Sequence, residues 1–571
     1  MDRRFIWAMA LMTLIVMAPA LLNKKSPVPA TDGPDSVATT LAAPETTSAA
    51  PMAAAPSPSP VLSTVPGGAD AAPEDTILIH TPLATYGIST RGGRLVRAEL
   101  ERYADQAPGE KGERANLIPA GSEVMGLRLV VGSDTLRLDD WDFATSATSM
   151  STDAPHTIEL TSTRGDVTVT LAYTFLPDEY QVGVVGTITG VGPNGGLLLV
   201  GMGPGLANTE ANLAENERSM GFVTKAQSTK FKAFQSLDTA EVATVSGPFE
   251  WVAVKSKYFV TAVLAFEPGA APIGGMTVRP LPVPGQKKAH QAATWVSMPV
   301  TPNGEFRYQL YAGPMEYSRL ARVGHDFDDV NPYGWPGFRT VIRPVAVGVR
   351  WMLVWMHENL HLAYGMVLVL FGILVRLILW PLNQKAMRST MAMQAIQPEL
   401  KAIQDKHKED PAKLQQEMFK LYKEHGVNPL GGCWPMLLPM PVLLALFFVF
   451  QNTIELRGQA FLWLPDLSRP DPLYIIPLIM GLSMFGLTKM GQRGVPPNPQ
   501  MKMMMYVMPV MMTVLFLNFA SGLNLYYAVS NIASIPQQWL ISEERMKLNA
   551  LRNGGGEKKP DAPKQPASKK K

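Results

Sequence analysis

At 571 residues, with 46% hydrophobic and only 17% charged side chains, the chain is too long for one ordinary domain and too apolar to be wholly soluble. A formal net charge of +3 supplies no global basic field of the kind a nucleic-acid binder carries. The single cysteine, Cys433, excludes an intramolecular disulfide framework and has no local partner for a metal site.

Residues 1–22 open with Asp2, Arg3 and Arg4 and continue as an apolar run, Phe5 to Leu22. Ala18-Pro19-Ala20 is similar to a signal-peptidase site, but the proline inside it and the apolar Leu21 and Leu22 beyond it favour an uncleaved transmembrane anchor. Residues 23–74 are Ala, Pro, Ser and Thr with almost no large apolar side chain, the composition of a disordered tether. Across 75–326 the pattern becomes short period-two runs such as Val167 to Phe175, punctuated by Arg91-Gly92-Gly93 and Pro193-Asn194-Gly195-Gly196. A large antiparallel β-sandwich is expected there, and it carries no nucleophile triad, metal spacing, phosphate loop or paired-carboxylate signature.

Residues 335–359 interleave Arg339, Arg343 and Arg350 with Val345, Val349, Trp351 and Trp355, which reads as an amphipathic helix in the membrane interface. The stretch 360–382 is long enough to cross a bilayer and holds one charge, Arg376. Snorkelling is the plain explanation for that arginine, since Pro381 lies only about 7 Å of helix rise further on. Residues 383–432 then form a polar helical hairpin, broken at Pro398 and Pro411, with eight Lys/Arg against six Asp/Glu between Gln384 and His425.

Four more apolar spans follow within 433–541: residues 433–450, 473–490, 503–520 and 523–541. The tail, 542–571, has nine Lys/Arg against four Asp/Glu, so the hairpin and tail are expected in the cytoplasm and the sandwich on the other side. Clustered lysines in that tail also suit ribosomal RNA or anionic lipid. In the last span Asn524, Tyr527, Asn531, Ser534 and Gln538 recur at spacings of three and four, a polar stripe that lipid cannot solvate. Helix-to-helix hydrogen bonding explains any one of them. Because the five spans contain no Asp or Glu, Arg376 lacks an ionic partner within them, and a wet, positively charged hollow open to the cytoplasm is expected. The methionines at 503, 504, 505, 508, 511 and 512 offer either an adaptable apolar surface or ordinary packing.

One motif points elsewhere. His357-Glu358-Asn359-Leu360-His361 matches H-E-x-x-H, so a membrane zinc metalloprotease is the alternative reading, although no span supplies an acidic third ligand. A solute transporter would show internal symmetry between halves, and none is visible.

Four stretches resemble the YidC family of membrane protein insertases, of the Oxa/Alb/YidC superfamily, in its Gram-negative form. They are Tyr86-Gly87-Ile88-Ser89-Thr90-Arg91-Gly92-Gly93, Val427-Asn428-Pro429-Leu430-Gly431-Gly432-Cys433, Ser521 to Asn531, and Arg376 ahead of Trp380-Pro381-Leu382. The resemblance implies a polytopic helical protein, an N-terminal anchor plus a five-helix core, with a periplasmic β-supersandwich. It implies a hydrophilic groove holding Arg376 and lined by Asn524, Tyr527, Asn531, Ser534 and Gln538. A hydrophobic slide between the third and fifth spans would then involve Met436, Met440, Met504, Met508 and Met512. The implied activity is insertion and folding of nascent inner-membrane proteins, with and without the Sec translocase (SecYEG, SecD/SecF), and with no cofactor, metal or catalytic residue. Pro439 departs from the glutamine that many members place in the third span.

Overall fold

Period-two patterning turns every second side chain of one strand inward: Val169, Leu171, Tyr173 and Phe175 are buried, and the alternate threonines face out. Those threonines pair across the strand boundary, Thr157 with Thr174 at 2.9 Å and Thr163 with Thr168 at 3.0 Å. The computed structural model describes residues 75–554, apart from 111, 192–195, 267, 269, 283–287, 332–337, 408–409, 427–439 and 496–498. The expected anchor 1–22, the tether 23–74, most of the turn at 193–196, Cys433, Met436, Pro439 and the tail beyond 554 lie outside the described residues.

Three sheets share one core. The largest has eight strands, ordered Thr229–Ala233, Gly221–Lys225, Trp251–Lys255, Phe259–Leu264, Glu305–Pro314, Gln181–Thr189, Val167–Phe175 and His156–Arg164. A six-stranded sheet runs Ala243–Phe249, Ile273–Leu281, Gln291–Val300, Gly196–Gly203, Leu127–Val131 and Asp134–Arg137. A five-stranded sheet runs Arg114–Asn116, Leu95–Ala104, Ala84–Ser89, Thr76–His80 and Met150–Ser151. The arrangement departs from a purely antiparallel sandwich at one edge, where Thr76–His80 lies parallel to Met150–Ser151. The chain reaches that edge from Asp134–Arg137 of the six-stranded sheet, so its direction is set by that connection and not by a hairpin turn. In the turn after Ala84–Ser89, Gly92 has φ +75° and a Cβ there would stand 2.4 Å from the Asp139 carbonyl, so only glycine fits.

The short helices are α1 (Leu213–Ser219) and α2 (Tyr317–Val323). The sandwich core takes in Phe327 and Val330, past the expected edge at residue 326, with Phe327 edge-on to Trp251. Lys255 is buried in a central strand, where its Nζ donates to Asn331 Oδ1 at 3.0 Å. Burial pushes its ammonium down to about 8 from an ordinary 10.5. Between those values the unfolded chain binds more protons, so the penalty is complete below pH 8 and fades as pH rises toward 10.5. Lys255→Met is therefore expected to gain ~3 kcal/mol relative to the parent at neutral pH and to lose that relative gain by pH 10, read from paired thermal melts.

The helical part comprises α3 (Arg339–Leu360), α4 (Tyr364–Ala395), α5 (Gln397–Lys406), α6 (Pro411–Glu424), α7 (Met440–Asn452), α8 (Ile475–Gly491), α9 (Pro499–Phe516) and α10 (Ser521–Gly554). Among the described residues one helix is both long and apolar enough to cross a membrane, over Tyr364–Gln384 with a mean hydropathy of 2.3. It does not stop at Leu382 but runs through Pro381 to Ala395, carrying the first arm of the expected hairpin as its own extension. A proline removes one backbone donor, which a long, otherwise well-bonded helix can absorb. α10 likewise continues past the expected end of the last span at residue 541, to Gly554. α3 buries Ile342, Ala346, Val349, Leu353 and Met356 and leaves Trp351 65% exposed on its outer face.

Candidate functional site

α10 begins where the chain is held tightly. Ser521 N donates to Arg469 O at 2.7 Å and Gly522 N to Leu467 O at 2.9 Å, fixing the helix against the loop between α7 and α8. α4 then packs closely along α10 because Gly372 faces Val529, where a Cβ would meet the valine Cγ1 at 3.2 Å. Phe371 lies against Tyr526 with ring centroids 5.8 Å apart.

One turn further along α4 stands Arg376, half-buried. Its Nε donates to Ser530 Oγ at 2.7 Å and to Ser530 O at 3.1 Å. Among the described residues its two terminal nitrogens meet no hydrogen-bond acceptor, and neither is a sealed, buried atom. Gln537 Nε2 donates to Trp380 O at 2.9 Å, and at the far end Arg388 pairs with Glu544 at 3.4 Å. The face of α10 that meets α4 is therefore Tyr526, Ser530 and Gln537.

The polar stripe expected from the sequence points to other neighbours. Asn524 is buried, donating from Nδ2 to Phe516 O at 2.9 Å, with an Oδ1 that has no partner among the described residues. Tyr527 packs edge-on against Phe516 at 5.4 Å. Asn531 donates to Ser483 Oγ of α8 at 3.3 Å, and Gln538 lies against Gly491 at the end of α8. Ser534 is the one member that touches the arginine's surroundings, since its Oγ donates to Ser530 O at 2.7 Å. None of the five forms a hydrogen bond with Arg376 itself. Tyr526, Ser530 and Gln537 also sit three to four residues or two turns apart, so a second stripe was present in the same sequence.

Of the expected slide, Met508 and Met512 are half-buried on α9, beside exposed Tyr506, Val507, Val510, Met511, Val514 and Leu515. Met440 and Met504 lie on α7 and α9, but their side chains are outside the described residues.

The H-E-x-x-H expectation is corrected by backbone geometry. His357 occupies the last turn of α3, whereas His361 lies beyond its end with φ +52°, so the two do not share a helical face as that motif requires. His357 is also occupied, its Nδ1 2.7 Å from Leu362 O and its ring stacked on Tyr364 at 4.0 Å. Among the described residues no three His, Cys, Asp or Glu side chains gather as a metal site.

The loop between α7 and α8 joins the helices to the sandwich. Arg457 enters the sandwich: its Nε donates to Glu210 Oε1, its Nη1 to Ala104 O and its Nη2 to Thr209 O, each at 2.8 Å. Its guanidinium also lies 5.2 Å from the Phe259 ring centroid. Ile454 belongs to the sandwich core, Gln106 donates to Asp466 at 2.8 Å, and Arg350 pairs with Glu455. Asp471 caps α8 by accepting from Ile476 N at 2.7 Å.

Two family models account for these two parts. The model described as YidC periplasmic domain matches residues 76–344, and the 60Kd inner membrane protein model matches residues 355–549. The membrane protein insertase YidC of Chlorobium phaeovibrioides is 38% identical over 322 residues, covering 52% of this chain and 53% of that protein. The chain thus spans about half the length of that relative, but it matches further along others. The insertase YidC of Chloroherpeton thalassium is 32% identical over 509 residues, covering 82% of this chain and 83% of that protein. A solved structure described as an active YidC insertase with its first transmembrane domain resolved is 18% identical, covers 82% of this chain and 93% of its own, and has a TM-score of 0.33. With one model on the sandwich, another on the helices and a 32%-identical relative followed across both, the chain belongs to the YidC family of membrane protein insertases.

Proposed function

We propose that the chain moves hydrophobic segments of newly made proteins from the cytoplasm into the inner membrane and assists their folding there, both through the Sec translocase and without it. Arg376 carries the proposal: a cation that, among the described residues, sits on the one long apolar helix, is tied by a single edge to α10 and keeps two terminal nitrogens without an acceptor. A client's polar flank must cross hydrocarbon, where each unsatisfied backbone group costs several kcal/mol. A hydrophilic groove beside Arg376, reached from the cytoplasmic end and bordered by Ser534, shortens that path. Burial of the client's apolar segment then drives the step.

In this reading α4 and α7 to α10 form the five-helix core, the 1–22 segment is an uncleaved anchor, and α9 supplies the slide with Met504, Met508 and Met512. The sandwich is periplasmic and faces SecYEG and SecD/SecF, and the C-terminus is cytoplasmic. Photo-crosslinking groups placed at Met512 and Ser534 should trap a ribosome-stalled client span. Adducts that form instead only from Leu482, 70% exposed on α8, would contradict the groove and slide.

The lysines at 558, 559, 564 and 569–571 are proposed to hold ribosomes or anionic lipid. Deleting 555–571 should reduce ribosome co-sedimentation at low salt, and the reduction should vanish at high salt. Unchanged sedimentation at low salt removes the ribosome from the proposal.

A further inference from the structure

We infer that Ser530, outside the polar stripe visible in the sequence, is the positioning residue that keeps the Arg376 charge inside the groove and so sets selectivity for clients with acidic flanks. The inference rests on the groove reading above.

Arginine has five N–H donors, only one of them on Nε. That one is shared by two oxygens of the same residue, Ser530 Oγ at 2.7 Å and Ser530 O at 3.1 Å. Ser530 is 2% exposed, so its hydroxyl has little water to compete for it. Ser534 Oγ donates to the same carbonyl at 2.7 Å, which braces it one turn further along α10. The close approach of Gly372 to Val529 holds the two helices at the spacing this contact needs.

The grip on Nε has two consequences. A long cationic side chain in a span turns toward the headgroups unless something restrains it. Ser530 is that restraint, taking the inner edge of the guanidinium. The outer edge, with both terminal nitrogens, is left in the planar arrangement that accepts a carboxylate. The ligand class is therefore an Asp or Glu side chain in the flank of a client's apolar segment.

The test compares single-span clients with acidic and neutral exported flanks, using full-length protein in vesicles. Ser530→Ala should slow the acidic client roughly fivefold, the size of one ordinary net hydrogen bond and less than loss of the whole guanidinium, and leave the neutral client near the parent rate. Ser530→Thr keeps an acceptor hydroxyl and should restore the acidic client. In an Arg376→Ala background, adding Ser530→Ala should change nothing, because no guanidinium remains to be held. A residue that merely packs α10 would slow both clients and would do so with or without Arg376, and that result overturns the inference. If Arg376→Ala slows acidic clients but Ser530→Ala does not, only the positioning role falls. If Arg376→Ala spares them, the groove reading falls, and the role of Ser530 with it.

Discussion

Replacing Arg457 with methionine is expected to unfasten the sandwich from the loop between α7 and α8 and to cost about 3–5 kcal/mol of stability. The side chains of Arg457 and Glu210 are only 3% and 7% exposed. Removing the cation leaves the carboxylate without a counter-charge and the carbonyls of Ala104 and Thr209 without their donors. The stranded Glu210 then favours its protonated form, so the loss should be larger at pH 8 than at pH 6. Replacing both partners with apolar residues of similar size should recover most of it, because a paired buried ion and a well-packed apolar contact differ little. Thermal melts measure the first effect. Hydrogen exchange in the strand Leu95–Ala104 and the loop 453–468 reads the loosened contact directly. A melt unchanged by Arg457→Met would mean that the loop does not hold the sandwich.

The hydrogen bond from Gln106 to Asp466 and the burial of Ile454 in the sandwich core are expected to keep the two parts in partial contact in that variant. Exchange should therefore rise at the loop before it rises in the central strands, where Trp251 and Tyr173 are sealed.

Much of this arrangement was legible in the sequence because it follows from periodicity. Alternating Val, Thr and aromatic residues specify half-buried strands, and the apolar run around Arg376 specifies a helix that lipid can surround. What could not be read is which face of α10 meets which neighbour. Asn524, Asn531 and Gln538 lie on one stripe and Tyr526, Ser530 and Gln537 on another, each at helical spacing. Only the approach of α4, set by Gly372, shows which stripe faces the arginine. Arg457 was hidden for a different reason: an arginine in a loop that also holds Arg469, Glu455, Asp466 and Asp471 looks like solvated charge until a partner 247 residues away is brought to it. The two histidines around Glu358 carried only the alternative reading, and it fails because the motif presumes an unbroken helix and α3 ends between them.

Arg376 carries the central claim. Arg376→Ala removes both the charge and the donor fork, whereas Arg376→Lys keeps the charge alone. Insertion of a single-span client with an acidic exported flank into reconstituted vesicles should fall roughly tenfold with Ala, equivalent to about 1.4 kcal/mol of lost attraction, and fall less with Lys, which keeps the charge without the planar donor edge. A client with a neutral flank should be nearly indifferent to either change. Raising salt should narrow the difference only in part, because the charge is half-buried and incompletely screened. The most direct measurement is the initial insertion rate of the acidic client in the Arg376→Ala protein. A roughly tenfold fall supports attraction by a held intramembrane charge, and a rate equal to the parent's contradicts it.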